Sequence, residues 1–406
     1  MNNKKYINKN LKLFFFSKNI GVGLPIWLSD GFYIYKKIKN LIYKININNN
    51  YEEVFTPHIT KEYLFKKSGH LDKYYNNIFK INSKENLYIK PMNCPFHCEI
   101  YKFYKDISYK MLPKRYFEFG SVYRKEKSGE INNLLRTRFF TQDDGHIFCR
   151  NKKKQIYKEI LNIIKNIIKL YKFFKFNKIY IRFSLRNKNK NNKYIGNNKL
   201  WKKSENIILY IKKIINIKYK YKNYIKYNDA AFYGPKIDFI IKDNNNRKWQ
   251  LGTIQIDYNT PIRFNLKYIN KYNKYKIPIL IHRAYLGSIE RFIYILIEHN
   301  KGNIPIFLLK KQLVIIPINN NVLNYSKKIL NILIKKKIRT IIYNDNNNIN
   351  KKIKINIKFI PIIFIIGEKE KNNKTISIII KNKGNIGTFK IKKAIKYIIN
   401  YINKIY

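Results

Sequence analysis

The chain has 406 residues, more than a single hydrophobic core usually serves, so two domains are expected. Its formal net charge of +60, from 84 Lys+Arg against 24 Asp+Glu, favours a polyanionic partner such as nucleic acid. Lys, Asn, Ile, Tyr and Phe dominate throughout, and their codons are rich in A and T. A mutational bias toward A and T can therefore account for much of that charge. The three cysteines are too few for a disulfide framework, and no apolar run reaches the ~20 residues of a membrane span. A cytoplasmic protein without a membrane segment is therefore expected.

The first part of the chain contains helical and strand patterns in turn. Apolar residues at three- and four-residue steps predict an amphipathic helix over 31–46, and a strand over 51–56 stops at Pro57. Two pairs of β-like runs separated by polar loops predict hairpins, and longer periodic segments predict three more helices. The hairpins span 116–149 and 236–257, and the helices lie near 151–173, 200–216 and 287–300.

After Gly302, short strands alternate with helices, which is typical of a small α/β domain. The strands are LVIIPI (313–318), TIIY (340–343), PIIFIIG (361–367) and TISIIIK (375–381), and the helices span 322–336 and 390–403. We therefore predict two domains, 1–305 and 306–406. Asn/Lys-rich composition predicts loops over 186–199 and 344–352.

Two short clusters combine cysteine, histidine and carboxylate side chains: PMNCPFHC at 91–98 and QDDGHIFC at 142–149. Such ligands suit Zn²⁺, for which four protein ligands close the site and three leave a position open for chemistry. Three interpretations compete. They are a closed site of Cys94, Cys98, His146 and Cys149, an open site of Cys94, His146 and a distant third ligand, and buried thiols without a metal. Spacing alone favours the closed site.

Six segments, taken in order, closely resemble the threonyl-tRNA synthetase family. They are PMNCP (91–95), RYFEFGSVYRKEKSGE (115–130), RTRFFTQDDGHIF (136–148), DAAFYGPKIDF (229–239), WQLGTIQIDYNTPIRF (249–264) and HRAYLGSIERF (282–292). The resemblance covers about residues 11–400. It implies an α+β catalytic domain of the class II synthetase fold, with an antiparallel sheet flanked by helices, followed by a small α/β anticodon-binding domain. The implied activity is that of an aminoacyl-tRNA ligase, which joins L-threonine to tRNA(Thr) with ATP.

The resemblance also implies an open zinc site, with one Zn²⁺ per subunit held by Cys94, His146 and His282. The bystanders are then His97, Cys98 and Cys149. In the family, the amino group and hydroxyl of threonine complete the coordination of zinc, so valine, which lacks the hydroxyl, loses a ligand. The residues that resemble threonine contacts are Asp144, for the hydroxyl, together with Gln142, Tyr233 and Gln255.

The same motifs imply a site for ATP with Mg²⁺. Its residues by resemblance are Arg124, Glu126, Arg136, Phe140, Gln250 and Arg291. Arg124 grips the α-phosphate and the substrate carboxylate, while Phe140 and Arg291 cover the two faces of adenine. Lys236, near the reacting phosphate, and His70, near the acceptor end of tRNA, complete the catalytic candidates with Arg124 and Arg291.

Several positions depart from the family pattern. Phe96 and Phe139 stand where glycine is usual, which places bulk beside the zinc and the adenine. Glu370 is a candidate anticodon contact, although Ile379 occupies a position where arginine is expected. The chain opens directly on the catalytic region, so we expect a reduced form that lacks the N-terminal editing domains and forms some seryl-tRNA.

Residues 31–57 resemble the first class II motif, which forms the subunit interface, so a homodimer is expected. Two alternatives are weaker. The motif set favours threonine over another amino acid such as serine or proline. The second alternative is a degenerate synthetase-like RNA-binding or regulatory protein. It would not need Arg124, Glu126 and Arg291, which this sequence retains.

Overall fold

The structure, a computed structural model, describes residues 11–187, 193–219 and 221–404. The chain forms two compact units. The large unit comprises residues 14–27 and 38–302, and the small unit comprises residues 11–13, 28–37 and 303–404. The domain boundary between residues 305 and 306 stays a prediction. None of the described helices is both long and apolar enough to cross a lipid bilayer.

The strands of the large unit follow the predicted hairpins and add shorter pairs between them. In chain order they are β1 (Phe14–Phe16), β2 (Pro25–Trp27), β3 (Glu52–Glu53), β4 (Ile59–Lys61), β5 (Leu87–Ile89), β6 (Lys114–Tyr123), β7 (Phe139–Cys149), β8 (Ile179–Ser184), β9 (Lys222–Lys226), β10 (Lys236–Lys242), β11 (Lys248–Asp257), β12 (Tyr268–Ile269), β13 (Tyr275–Lys276) and β14 (Ile279–Ser288).

Eight of these strands form one central sheet in the order β3-β6-β7-β14-β11-β10-β8-β9. The pairs β3/β6 and β8/β9, one at each edge, are parallel, and the pairs between them are antiparallel. Both predicted hairpins are confirmed as β6–β7 and β10–β11. The predicted antiparallel sheet is therefore confirmed, with the addition of the two parallel pairs.

The helices of the large unit include the three that periodicity predicts. The set is α2 (Glu62–Ser68), α3 (His70–Tyr74), α4 (Cys94–Phe103), α5 (Lys153–Phe173), α6 (Asn198–Lys218), α7 (Asn259–Arg263) and α8 (Ile289–His299), while α1 (Ser29–Ile47) has residues in both units. Helix α5 contacts β14 and β11, and α8 contacts β14 and β7. Ile156, Ile160, Ile163 and Ile167 recur at helical spacing on α5 and are buried. These helices pack against the central strands of the sheet.

The predicted strand over 51–56 is too long. Only Glu52 and Glu53 pair with β6, although the Val54 amide still donates to the Phe117 carbonyl at 2.9 Å. At Thr56 the amide and the hydroxyl both donate to the Glu118 carboxylate, at 3.3 and 2.8 Å. The strand ends because this side chain takes the place of the neighbouring backbone as acceptor.

The small unit contains a five-stranded sheet in the order β16-β15-β17-β18-β19, with parallel pairs on both sides of β15. Its elements are β15 (Leu313–Pro317), α9 (Leu323–Lys335), β16 (Thr340–Ile342), α10 (Ile349–Asn356), β17 (Ile362–Ile366), α11 (Glu368–Asn372), β18 (Thr375–Ile380), β19 (Gly384–Lys390) and α12 (Ile391–Lys404). The predicted small α/β domain is confirmed.

The loop predicted over 344–352 is wrong in its second half, because α10 begins at Ile349. The Asn348 side chain accepts from the Lys351 amide at 2.9 Å, which caps the helix. Asn/Lys-rich composition does not reveal this helix start, since asparagine is common both in loops and at helix N-caps. In the other predicted loop, 186–199, residues 188–192 lie outside the described residues, and α6 begins at Asn198.

Candidate active site

Strand register brings distant polar residues into one row on one face of the central sheet. His146 of β7 lies opposite His282 of β14, which lies opposite Gln255 of β11, which lies opposite Lys236 of β10. Residues opposite one another in antiparallel strands point to the same face. The register therefore joins the two histidines that are 136 positions apart in sequence.

A sulfur ligand reaches this row from the first turn of α4. The ligand atoms of Cys94, His146 and His282 all lie within 4.8 Å of one another, and all three side chains are buried. His146 Nε2 lies 3.0 Å from His282 Nδ1. One thiolate and two imidazoles are donors that Zn²⁺ accepts, and three protein ligands would leave a fourth position open, so these residues fit Zn²⁺.

A carboxylate orients the His282 ring. Asp257 accepts from the amides of Asn259 and Thr260 through Oδ1, at 2.7 and 2.9 Å, and its Oδ2 lies 3.1 Å from His282 Nε2. The carboxylate makes Nε2 of the ring a donor. Burial lowers the pKa of His282, but the nearby Cys94 sulfur and the Asp257 carboxylate raise it to about 10, so a metal ion that binds Nδ1 must displace a proton there.

The protonation tendencies of the other two side chains have opposite consequences for metal binding. Burial, together with the nearness of His97 and His282, lowers the pKa of His146 well below its usual range, so the ring is neutral. A hydrogen bond with Cys98, together with burial, raises the pKa of the Cys94 thiol well above its usual range. A metal ion bound by Cys94 must therefore displace a proton.

The closed alternative receives no support from the geometry. Within the described parts of the chain, the ligand cluster contains Cys94, His146 and His282 but neither Cys98 nor Cys149. Both of those thiols are fully buried, and Cys98, itself a residue of α4, packs in the apolar core. His97, in contrast, contacts His146 directly, with 2.9 Å between the two Nδ1 atoms.

Three of the four predicted threonine contacts lie beside the ligand cluster. Asp144 Oδ1 is 3.9 Å from His146 Nε2, and Asp144 Oδ2 accepts from Asn93 Nδ2 at 3.1 Å. The Tyr233 ring stacks on His282, with centroids 4.8 Å apart, and its hydroxyl donates to Gln255 Oε1. These polar groups would surround a small polar ligand at the open metal position.

A glycine makes the contact with Asp144 possible. Gly120 of β6 lies opposite Gln142 of β7, and a Cβ at Gly120 would collide with the Asn93 side chain. Asn93 therefore reaches Asp144 only because residue 120 has no side chain.

The predicted nucleotide residues line a separate cleft of about 440 Å³ on the same sheet face. The predicted site residues in its wall are Arg124, Glu126, Arg136, Phe140, Gln142, Gln250, Gln255 and Arg291. Tyr74 and Thr253 also line the cleft, and the motifs gave no signal for either. Gln142 and Gln255 connect the cleft to the ligand cluster.

The charges in this cleft are arranged for an anionic ligand. Arg124 lies over the Phe140 ring, with its guanidinium 5.0 Å from the centroid. Burial, with the charge of Arg136, lowers the pKa of Arg291, and its Nε has no hydrogen-bond partner among the described residues. Arg136 already binds the Glu126 carboxylate, with 2.7 Å between Nη2 and Oε2. A largely buried guanidinium with an unpartnered Nε and a long bond of 3.4 Å from Nη1 to the Leu135 carbonyl is a group that a phosphate would satisfy.

Two catalytic candidates lie outside the wall of the cleft. Lys236 Nζ binds Asp238 at 2.9 Å and Asp229 at 3.4 Å. His70 is 1% exposed, and its Nδ1 lies 2.7 Å from Ser68 Oγ. Burial, and then the charge of His282, lowers the pKa of His70 to about 3, so its ring is neutral at physiological pH.

A polar network beside the cleft was not found from the sequence. Arg182 of β8 binds Asp238 Oδ2 at 2.8 Å and Gln250 Oε1 at 2.6 Å. Asp238 also accepts from Gln250 Nε2 and Thr253 Oγ1, both at 2.9 Å. The alternation of Lys236 and Asp238 in an otherwise apolar strand was the available signal, because both point to the polar face.

The two phenylalanines that replace the usual glycines pack against other aromatic rings. Phe96 is buried against Phe65, with centroids 6.2 Å apart, and Phe139 packs on Tyr123 at 5.2 Å.

In the small unit, Glu370 Oε2 accepts from the Gly367 amide at 2.9 Å, and its Oε1 accepts from Ser377 Oγ at 2.7 Å. Both oxygens of Glu370 therefore have partners within the unit.

Two family models match the chain. Residues 77–300 match the tRNA synthetase class II core domain (G, H, P, S and T), and residues 312–401 match the anticodon binding domain. The threonine–tRNA ligase of Azobacteroides pseudotrichonymphae is 42% identical over 397 residues, covering 97% of this chain and 60% of that protein. The threonine–tRNA ligase of Cytophaga hutchinsonii is 41% identical over 403 residues, covering 98% of this chain and 61% of that protein. The chain thus spans about three fifths of the length of these relatives.

A solved structure is similar over nearly its whole length. The RNA binding domain of threonyl-tRNA synthetase from Cryptosporidium parvum Iowa II superposes with a TM-score of 0.87 and 32% identity. The match covers 98% of this chain and 96% of that one.

Proposed function

This chain belongs to the threonyl-tRNA synthetase family of class II aminoacyl-tRNA synthetases, and we propose that it activates L-threonine with ATP and transfers it to tRNA(Thr). The observation that carries this proposal is the grouping of Cys94, His146 and His282 beside an arginine-lined cleft. A class II fold alone would fit several amino acids, so the ligand cluster argues for threonine.

Zinc is the proposed cofactor at Cys94, His146 and His282, with one ion per subunit. When bound, it supplies a Lewis-acid anchor for the amino group and hydroxyl of the amino acid. Asp144, whose orientation Asn93 fixes, accepts the hydroxyl proton. Tyr233 and Gln255 bound the same space. Valine would leave the Asp144 carboxylate without its donor, whereas serine would satisfy it.

The arginines perform the proposed activation of the carboxylate by ATP, which enters with Mg²⁺. The threonine carboxylate attacks the α-phosphorus, the bond to pyrophosphate breaks, and threonyl-adenylate forms. Arg124 holds the α-phosphate and the carboxylate together, which aligns the two anions. Arg291, with its unpartnered Nε, faces the outer phosphates. Adenine takes the place of the Arg124 guanidinium over Phe140, and Glu126 accepts from its amino group.

The remaining parts of the proposal concern tRNA and assembly. The match of residues 312–401 to an anticodon binding domain supports contact of the small unit with tRNA, with Glu370 as a candidate residue. Lys236 and His70 stay candidates for the reacting phosphate and the acceptor end.

We also propose a homodimer, since the large unit exposes apolar side chains that include Phe55, at 82% exposure.

Amino-acid-dependent exchange of pyrophosphate into ATP tests the proposal, because it reports activation without tRNA. We expect strong exchange with threonine and exchange with serine lower by about 10- to 200-fold, since serine lacks one methyl group. Exchange with valine should be lower by at least about 10⁴-fold, because a buried polar site rejects an analogue without its hydroxyl. Absence of threonine-dependent exchange, or stronger exchange with serine or proline, would contradict the proposal.

A further inference from the structure

His97 connects a candidate metal ligand to a buried carboxylate. Its Nδ1 lies 2.9 Å from His146 Nδ1, and its Nε2 lies 3.2 Å from Glu118 Oε2. None of these side chains is more than 2% exposed. Cys94 and His97 are three residues apart on the first turn of α4, so both point to the same side of the helix.

The carboxylate has a single possible role in this contact. Glu118 Oε1 accepts from Lys90 Nζ at 3.0 Å and from the Thr56 amide at 3.3 Å. Thr56 Oγ1 accepts from Lys90 Nζ at 2.8 Å and donates its own proton to Glu118 Oε2 at 2.8 Å. Glu118 is therefore an ionised acceptor, paired with a buried lysine, and His97 Nε2 must be the donor.

The direction of every further bond follows. A neutral His97 that carries its proton on Nε2 has its lone pair on Nδ1, so Nδ1 accepts from His146 Nδ1. His146 then has its own lone pair on Nε2, which points at His282 Nδ1, 3.0 Å away. When a metal ion replaces the Nδ1 proton of His282, Asp257 keeps the remaining proton on Nε2 and the lone pair on Nδ1. The two inner lone pairs therefore converge, which a cation satisfies.

We propose that His97 is a positioning residue that holds His146 in the tautomer able to bind a metal, and that Glu118, fixed by Lys90 and Thr56, sets the orientation of His97. The proposal rests on the metal site of the proposed function. Without this contact, His146 can donate from Nε2 to His282 Nδ1, which removes the lone pair that a metal needs. His282 is oriented by a carboxylate directly, whereas His146 is oriented by a carboxylate acting through a second imidazole.

The test measures zinc affinity by competition with a chromogenic chelator, without substrates, on the full chain. His97→Leu removes the acceptor and should weaken zinc binding by about 10- to 100-fold. His97→Asn retains an oxygen acceptor close to the position of Nδ1 and should lose less than about tenfold. Glu118→Gln, which can donate to His97 and reverse the chain of bonds, should weaken zinc binding as His97→Leu does. His299→Asn, at a buried histidine whose imidazole contacts the Lys175 carbonyl at 3.3 Å, is the matched control with wild-type affinity.

The visible spectrum of the Co²⁺-substituted protein provides a second readout, because it reports ligand geometry. It should change in His97→Leu and return towards the wild-type spectrum in His97→Asn. If both His97→Leu and Glu118→Gln keep the wild-type zinc affinity and the wild-type spectrum, the role of His97 is overturned but the metal site is not. Equal losses in His97→Asn and His97→Leu would overturn it as well. If His97→Leu does not fold, Glu118→Gln and His97→Asn decide. Unchanged zinc affinity in Cys94→Ser would overturn the metal site itself.

Discussion

The ring of Tyr233 lies nearly parallel to the ring of His282, with centroids 4.8 Å apart and planes inclined by 27°. The same tyrosine donates its hydroxyl proton to Gln255, which shares a register row with His282. Tyr233 therefore links a candidate metal ligand to the wall of the nucleotide cleft, and its two contacts can be separated by mutation.

Tyr233→Phe keeps the stacked ring but removes the hydroxyl. We expect the KM for threonine in pyrophosphate exchange to rise by about tenfold, the effect of one buried hydrogen bond, with zinc content unchanged. The matched control is Tyr325→Phe in the small unit, where the hydroxyl bonds the Thr375 carbonyl at 3.1 Å. A change in the KM for ATP alone would argue against the assignment of Tyr233 to the amino acid.

Phe140→Leu should raise the KM for ATP by about five- to tenfold and leave the KM for threonine nearly unchanged. The physical reason is the loss of a flat surface on which adenine and a guanidinium can stack, worth about 1 kcal/mol. Phe139→Leu is the control, because Phe139 is adjacent in β7 but packs on Tyr123 outside the cleft wall. Steady-state kinetics with each substrate varied in turn distinguish the two. Equal effects from the two substitutions would show that Phe140 does not face the nucleotide.

Cys94→Ser should reduce bound zinc from about one ion per chain to well below that, and should reduce threonine-dependent exchange by at least about 100-fold. Cys98→Ser should retain both, since Cys98 is outside the ligand cluster although it lies on the same helix. Removal of zinc by a chelator should reproduce the loss, and added Zn²⁺ should reverse it. Metal analysis beside the exchange assay checks this prediction. Loss of activity in Cys98→Ser but not in Cys94→Ser would identify a different metal site.

Glu290→Gln should change how stability depends on pH. Burial raises the pKa of Glu290 from 4.5 to about 7, although the Thr141 amide and Ser288 hydroxyl donate to the carboxylate. An acid with a raised pKa in the folded state favours folding below its unfolded pKa. That contribution is lost as the pH rises through about 7. The gap corresponds to about 3 kcal/mol.

Urea denaturation at pH 5 and pH 8 measures this effect. The loss of unfolding free energy between the two pH values should be smaller in Glu290→Gln than in the wild type. Glu85→Gln, at an exposed carboxylate, should leave that loss unchanged. An identical pH dependence in Glu290→Gln and wild type would show that the buried carboxylate does not titrate in this range.

Local patterns determined most of the elements before the structure was known. Helix α5 follows from the spacing of its isoleucines, and the β6–β7 and β10–β11 hairpins follow from paired apolar runs around polar loops. The six family motifs also predicted the reaction class, which stays a proposal, and pointed to Cys94, His146 and His282, which the structure brings together. The predictions of helices and strands succeed because helical period and strand alternation are properties of short segments.

Other features depended on contacts between segments that are distant in sequence. Strand 51–56 ends early because Glu118, 62 residues beyond Thr56, binds its backbone. Lys236 binds Asp238 and Asp229 instead of lining the cleft, a result of packing that no motif encodes.

The sequence by itself determined the family, the small C-terminal α/β domain and the identity of the three metal-ligand candidates. Only the tertiary structure decided that His97 is their neighbour, because a bystander and a supporting residue look identical in the string PMNCPFHC. The physical reason is that hydrogen-bond direction depends on partners from other strands. Glu118 of β6 and His146 of β7 meet His97 only after the sheet has formed.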